Sequence, residues 1–174
     1  MNFTLEKSIE ILERTPNVLA AMLQNISAEW TLNNEGGQTW TVYDIIGHLI
    51  HGEKTDWIPR AAIILSEKPD KTFEPFDRLA QFEASKGKSL TELLDEFKIL
   101  RKNNIEYLRS IKLTGKDLEA KGFHPAFGEV TLSQLLSTWV VHDLNHIAQI
   151  SRVMAKQYKA AVGPWIEYLS ILQK

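Results

Sequence analysis

Residues 131–154 have the sequence TLSQLLSTWVVHDLNHIAQISRVM, which is the most informative segment of the chain about its fold. Apolar residues recur in it at spacings of three and four, which is the period of an amphipathic helix and not of a strand. Thr131 followed by Gln134 matches a capping box, so the helix is predicted to begin there and to run to about residue 157. The members of its apolar face are Leu132, Leu135, Leu136, Trp139, Ile150, Val153 and Met154.

Two histidines and an aspartate lie in or beside this apolar face. On a helical wheel His146 and Asp143 fall inside the apolar stripe, and His142 borders it. Residues at i and i+4 lie on the same side of a helix, so both imidazole rings can reach one metal ion. Core histidines that bond to carboxylates or backbone carbonyls are the alternative, and the pattern alone leaves both interpretations open.

Other segments have the same helical spacing. The first covers about residues 4–27, where Pro16 predicts a kink, or a restart with Thr15 as the cap. The second begins at Thr41, where Asp44 completes a capping box with a shorter acid than usual.

Proline also interrupts this second helix, which we expect to bend at Pro59. The third helix begins at Ser89, with Glu92 three residues later as the acid of a capping box. A short last helix is predicted over about residues 163–172. No segment alternates apolar and polar residues over the length of a strand, so no strand is predicted.

Four long helices and a short tail predict an all-α protein, a four-helix bundle that forms a single domain over residues 1–174. The connections at about residues 67–88 and 114–130 are too long for simple hairpins. The first can extend to about 70 Å, whereas a helix of about 26 residues is only about 39 Å long. It can therefore cross the whole bundle and make the second and third helices parallel.

Composition narrows the class of function. Lys and Arg number 20 against 22 Asp and Glu, so the net charge is −2 and a nucleic-acid binder is not expected. The chain has no cysteine, which excludes thiolate metal sites, disulfides and a cysteine nucleophile. No apolar run is long enough to span a membrane, and the first residues lack the pattern of a secretion signal, so we expect a cytoplasmic protein.

A third metal ligand would have to come from another helix. In the second helix His48 borders the apolar face, on the same side as Asp56, whereas His51 points away from it and should be solvated. Glu53 falls within the apolar face and is a reserve ligand, and His124 lies in a loop. Helical geometry therefore favours His48.

Three neutral imidazoles on His48, His142 and His146 would leave open coordination positions, as in a catalytic metal site. Imidazole suits zinc, nickel, copper or iron, and we expect a divalent ion, zinc or nickel first. Each ring should donate its other N–H to an acceptor, and Asp56 and Asp143 are the nearby acids expected in that role.

The run H-D-L-N-H is also similar to the zinc-peptidase helix H-E-x-x-H, with Asp143 in the place of the glutamate. Glu167, further along the chain, would then be a third ligand. An aspartate reaches an attacking water less well than a glutamate. Because no strand is predicted to line a peptidase cleft, we regard a peptidase as the weaker interpretation.

Three segments resemble the DinB/YfiT-like superfamily of helical metal proteins. They are TWTVYDIIGHLIHGE, GFHPAFGEVTLSQLLSTWVVHDLNHIAQISRVMA and AVGPWIEYLSIL. The first is similar to the second helix of the family, the second contains an H-x-x-x-H helix like the family's, and the third is similar to the terminal segment of one branch. The resemblance covers most of the chain and implies a metal on His48, His142 and His146.

The resemblance also implies a four-helix bundle with a crossover, often a homodimer, with the metal at its open end. Characterised branches use low-molecular-weight thiols such as bacillithiol, mycothiol or glutathione. We therefore expect an enzyme that uses its metal to activate such a thiol for transfer to an electrophilic small-molecule substrate. A metal-dependent hydrolase and a non-catalytic stress protein that binds metal or thiol are the alternatives.

Overall fold

The computed structural model describes residues 3–173 and confirms the helical bundle. The predicted last helix is present as two short 3-10 segments. No helix in the described range is both long and apolar enough to cross a membrane. The elements are α1 Leu5–Leu12, α2 Thr15–Leu23, α3 Ala28–Leu32, α4 Val42–Thr55, α5 Trp57–Leu65, α6 Ala80–Ser85, α7 Leu90–Ser110, α8 Gly115–Leu118, β1 Lys121–His124, β2 Gly128–Thr131 and α9 Leu132–Lys156, then the 3-10 segments Gly163–Tyr168 and Ser170–Leu172.

The long helices α4, α7 and α9 begin where the sequence predicts. At each N-terminus the capping hydroxyl accepts a hydrogen bond from the backbone N–H three residues later, and the side chain of that residue accepts one from the N–H of the cap. Each box satisfies N–H groups that have no partner inside the helix, and so it defines the first helical residue. The pairs are Thr41 with Asp44, Ser89 with Glu92, and Thr131 with Gln134.

Proline divides both helices that contain it. α2 restarts at Thr15 with Pro16 in its first turn, so Thr15 is the first helical residue and not the cap. The bend expected in the second helix is a full break between α4 and α5. Pro59 has no N–H, and its ring excludes the carbonyl group of Thr55 four residues earlier. The chain therefore turns at Asp56, which has φ −108° and ψ −72°.

The connection between α5 and α7 carries the chain back along the bundle. The hydroxyl of Tyr43, near the start of α4, lies within hydrogen-bonding distance of the carbonyl oxygens of Ser85 and Lys88, near the start of α7. Ten residues further along α4, the carboxylate of Glu53 accepts a hydrogen bond from Arg101, further along α7. The two helices are therefore parallel, and the connection is a crossover as predicted.

The prediction that the chain has no strand was wrong. β1 and β2 form an antiparallel hairpin within the second connection, and the crossover adds a parallel bridge between Thr72 and Phe123. Neither KGFH nor GEVT alternates strictly between apolar and polar residues, which explains the error. Gly122 allows the close approach, because a Cβ there would lie 2.7 Å from the ring of Phe73.

The buried core consists of two apolar clusters. One surrounds Trp57 and Trp139, and the other surrounds Phe97 and Ile150. On α7 and on α9, one buried charged residue lies between the part of the helix that enters one cluster and the part that enters the other. On α4 such a residue follows the part that enters the second cluster and precedes α5, which enters the first. This polar layer consists of Glu53 on α4, Arg101 on α7 and Asp143 on α9.

Candidate metal centre

Three histidine side chains from α4 and α9 meet at one point. The Nε2 atom of His142 lies 3.0 Å from Nε2 of His48 and 3.1 Å from Nε2 of His146, one turn further along α9. All three nitrogen atoms lie within 4.8 Å of one another. Within residues 3–173, no other group of three histidine, aspartate or glutamate side chains has the spacing of metal ligands. The structure thus brings together the three residues that the sequence singled out.

Two glutamine amides hold the outer nitrogen atoms of the rings. His48 Nδ1 lies 3.2 Å from Oε1 of Gln81, and His146 Nδ1 lies 2.8 Å from Oε1 of Gln149. An amide oxygen only accepts, so each Nδ1 carries the proton and each Nε2 presents a lone pair to the centre. The sequence analysis missed both amides. The i, i+3 spacing of His146 and Gln149 was a usable signal, whereas Gln81 lies in the crossover.

Burial keeps the three rings neutral. It is the main cause that lowers the pKa of His48 to about 4 and that of His142 to about 2, and in both cases charge on His146 is the second cause. Burial also lowers the pKa of His146, although its hydrogen bond to Gln149 acts in the opposite direction. At neutral pH all three imidazoles are therefore in the form that binds a metal ion.

This donor set fits a divalent cation. The lone pairs of His48 and His146 face Nε2 of His142, while Nδ1 of His142 is buried and has no hydrogen-bond partner among the described residues. A proton on that Nδ1 makes three lone pairs converge, and a cation relieves their repulsion. Three imidazole ligands that leave positions open are typical of catalytic metal sites, so these residues could hold zinc, nickel or a similar ion.

The two acids expected beside the rings have other partners. Asp143 is fully buried, and its oxygen atoms accept from Arg101 at 2.6 and 3.0 Å. Asp56 pairs with Arg60, with 2.6 Å between Oδ1 and Nη1. A buried carboxylate needs a compensating charge, which a guanidinium supplies and a neutral imidazole does not. The structure thus corrects the expectation that Asp56 and Asp143 orient the histidine rings.

The remaining candidates lie outside the histidine group. Glu53 accepts from Arg101 in the polar layer and is not a reserve ligand. Glu167 is exposed, and the group of potential ligands in the described chain does not contain it, so the peptidase arrangement is absent there. His51 is half-buried where full exposure was expected. His124 lies on the hairpin, in the wall of a cavity.

A cavity of about 450 Å³ opens beside the three histidines. The wall nearest to the rings is aromatic: the centroid of Trp40 lies 4.9 Å from that of His48, and Trp57 lies edge-on at 5.0 Å from His142. Further lining residues are Asp56, Arg60, Phe73, Phe76, Arg78, His124 and Phe127.

Comparison with known proteins agrees with the fold. Residues 11–150 match the sequence model of the DinB superfamily. A solved structure, that of YfiT from Bacillus subtilis, aligns with a TM-score of 0.75 over 90% of this chain and 90% of its own, at 23% sequence identity. It is described as a probable metal-dependent hydrolase with an unusual four-helix bundle topology. No curated protein matches the chain in sequence.

Proposed function

The chain belongs to the DinB superfamily, and we propose that it is a metal-dependent enzyme that activates a low-molecular-weight thiol for transfer to an electrophilic small molecule. One observation carries the proposal. Three neutral imidazoles converge beside a cavity of about 450 Å³, in a chain that has no cysteine of its own. A cavity of this volume is in the range of small-molecule sites.

The histidine group would hold the ion, zinc or nickel in our proposal, through His48, His142 and His146. Gln81 and Gln149 orient two of these rings by accepting their Nδ1 protons. When bound, the ion would supply a Lewis acid that lowers the pKa of a thiol, or of a water, that enters the cavity.

In this proposal the protein positions the thiol and the electrophile in the cavity but does not supply the nucleophile. Without cysteine, the attacking sulfur must belong to the bound thiol. A sulfur–carbon bond forms to the electrophile, the leaving group departs with the electrons of its bond, and the thiol proton passes to solvent. Trp40 and Trp57 pack against His48 and His142, with 4.9 and 5.0 Å between ring centroids, and so form an apolar wall beside the histidines.

Asp56 favours a second candidate, metal-dependent hydrolysis. Its carboxylate lines the same cavity, and burial raises its pKa while the charge of Arg60 acts against that change. A carboxyl group whose pKa is raised is suited to act as a general base, and here it would take the proton of an attacking water. YfiT, which is similar in fold, is described as a probable metal-dependent hydrolase.

A panel of thiols tests the proposal. The protein, purified without an affinity tag, is supplied with Zn²⁺, Ni²⁺ or Mn²⁺ and with bacillithiol, mycothiol or glutathione, and adduct formation with monochlorobimane is followed by fluorescence. We expect metal-dependent turnover that His146→Ala abolishes. His51→Ala is the matched control and should retain activity, since His51 lies outside the ligand group.

In parallel with the thiol assay, hydrolysis of 4-nitrophenyl acetate is measured in the absence of thiol. Metal-dependent hydrolysis that Asp56→Asn abolishes, with no thiol adduct, would establish the hydrolase in place of the transferase. Stoichiometric binding of metal or thiol without either reaction would contradict both and would identify a binding protein.

A further inference from the structure

The outer wall of the cavity is built by the two connections of the bundle, not by its long helices. The crossover contributes Phe76 and Arg78, and the hairpin contributes His124 and Phe127. We call these four residues the mouth. The two connections are tied together, since the N–H of Phe73 donates to the carbonyl of Phe123 at 2.8 Å and the N–H of Phe123 donates to the carbonyl of Lys71 at 3.0 Å. The two connections that carry the mouth are therefore held together by backbone hydrogen bonds.

One side of the mouth is a flat aromatic surface. Phe127 is 79% exposed, and its ring stacks on the ring of His124, with 4.4 Å between centroids and 16° between planes. The backbone N–H groups of Ala126 and Phe127 donate to Nδ1 of His124, which holds the imidazole in this orientation. Phe127 thus presents an exposed aromatic face to solvent at the edge of the cavity, with the orientation of its stacking partner His124 fixed by the backbone.

The charged residues of the cavity favour an anion. Arg60 is neutralised by Asp56, at 2.6 Å. Arg78 makes no ion pair with any residue of the range 3–173, so these three side chains together carry one positive charge.

From this combination of a flat ring and an unpaired cation, we propose that the mouth is a subsite for an aromatic carboxylate. Its ring stacks on Phe127, as aromatic pairs do at centroid distances of about 4.5–7 Å, and its carboxylate pairs with Arg78. The inference rests on the proposed function and deepens it, because it assigns the electrophilic substrate to the class of aromatic carboxylates.

Binding of three probes tests the subsite without turnover. The probes are 2-naphthoate, the neutral alcohol 2-naphthalenemethanol, which has the same ring, and cyclohexanecarboxylate, which has the charge without an aromatic ring. They are titrated calorimetrically into the protein as purified and again in the presence of a chelator. We expect 2-naphthoate to bind at least tenfold more tightly than the other two, with the order unchanged by the chelator.

Two variants locate the contacts. Phe127→Ala should weaken the binding of 2-naphthoate about three- to tenfold, the range of an aromatic pair. Arg78→Gln should weaken it about tenfold and leave the alcohol unaffected, because only the carboxylate uses the charge. Tyr168→Ala and Arg14→Gln are the matched controls, since both residues are exposed and lie outside the cavity.

Equal affinity for the acid and the alcohol, or 2-naphthoate binding that neither variant weakens, would overturn the subsite. Its failure is separate from that of the proposed function, because no thiol and no turnover enter the measurement. A protein that binds 2-naphthoate as expected but transfers no thiol keeps the subsite and loses the transferase. A transferase that binds the acid and the alcohol equally keeps the activity and loses the subsite.

Discussion

Arg101 and Asp143 form a bidentate ion pair at the centre of the bundle, with nitrogen–oxygen distances of 2.6 and 3.0 Å and at most 2% of either side chain exposed. The same guanidinium donates to the carboxylate of Glu53 and to the carbonyl of Leu12. One side chain thus joins α7 to α9, α4 and α1. Because α4 and α9 carry the three histidines, Arg101 fixes the relative position of the two helices that supply the candidate metal ligands.

Replacing Arg101 should therefore destabilise the folded protein. Arg101→Met leaves two buried carboxylates without their counter-ion, and we expect the free energy of unfolding to fall by about 3–5 kcal/mol. Urea denaturation measures the change. Arg109→Met is the control, because it breaks an exposed ion pair: the side chain of Arg109 is 54% exposed and that of its partner Glu13 is 43% exposed. This change should lower the free energy of unfolding by about 1 kcal/mol or less. Equal losses in the two variants would contradict the role given to the polar layer.

The third ligand is tested by metal content. His48→Ala should bind several-fold less zinc or nickel than the wild type, because it removes one of three convergent nitrogen atoms. His51→Ala, three residues further along the same helix, should bind as much as the wild type. Inductively coupled plasma mass spectrometry on desalted protein gives the stoichiometry. The reverse order would mean that His51 and not His48 is the ligand from α4.

The glutamine amides should tune metal affinity without holding the fold. Gln149→Leu removes the acceptor 2.8 Å from His146 Nδ1, and the loss of such a partner costs about 10–100-fold in metal affinity. Competition with a chromogenic chelator measures it. Gln24→Leu changes an exposed amide outside the histidine group and the cavity lining, and it should leave the affinity unchanged. If Gln149→Leu binds metal as the wild type does, this amide does not orient the ring.

Without metal, the protein should lose stability as the pH falls below about 6.5, the pKa of a histidine in the unfolded chain. The pKa values in the folded protein are lower, about 2 for His142 and about 4 for His48. In this range the unfolded chain binds protons that the folded protein cannot accept. The free energy of unfolding should therefore fall, by about 1 kcal/mol for each of these histidines between pH 6.5 and 5.5.

Urea unfolding in the presence of a chelator, at several pH values, measures this slope. His142→Gln removes one titrating ring and should have a shallower slope than the wild type, whatever other groups contribute to both. Identical slopes in the two proteins would contradict a neutral buried imidazole at His142.

Much of the bundle was predictable because its signals are local. A capping box needs only two residues three positions apart, and a wheel needs only one helix, so Thr41, Ser89 and Thr131 marked helix starts correctly. The same wheel geometry selected His48 over His51, and the structure brings His48 into the group.

What the sequence did not reveal depends on contacts between distant segments. Gln81 meets a ring 33 residues earlier, from a crossover without periodicity. Arg101 did carry a signal, since it lies four residues after Phe97 and four before Ile105, both buried on the inner face of α7. In a helix with many charged residues, however, Arg101 is predicted to be exposed to solvent unless its partners Glu53 and Asp143 are known.

The hydrogen bonds between Phe73 and Phe123 join the two connections that line the cavity, so these connections are expected to change together in evolution and independently of the long helices. The candidate ligands lie on long helices, where an insertion would rotate every later residue around the helix axis. The mouth lies on connections, where changes in length and sequence are tolerated. After gene duplication, substitutions in residues 71–78 and 121–131 could therefore change the substrate that is bound without moving the three histidines. Divergence within such a lineage would be recorded in its loops, and its common ancestry in its helices.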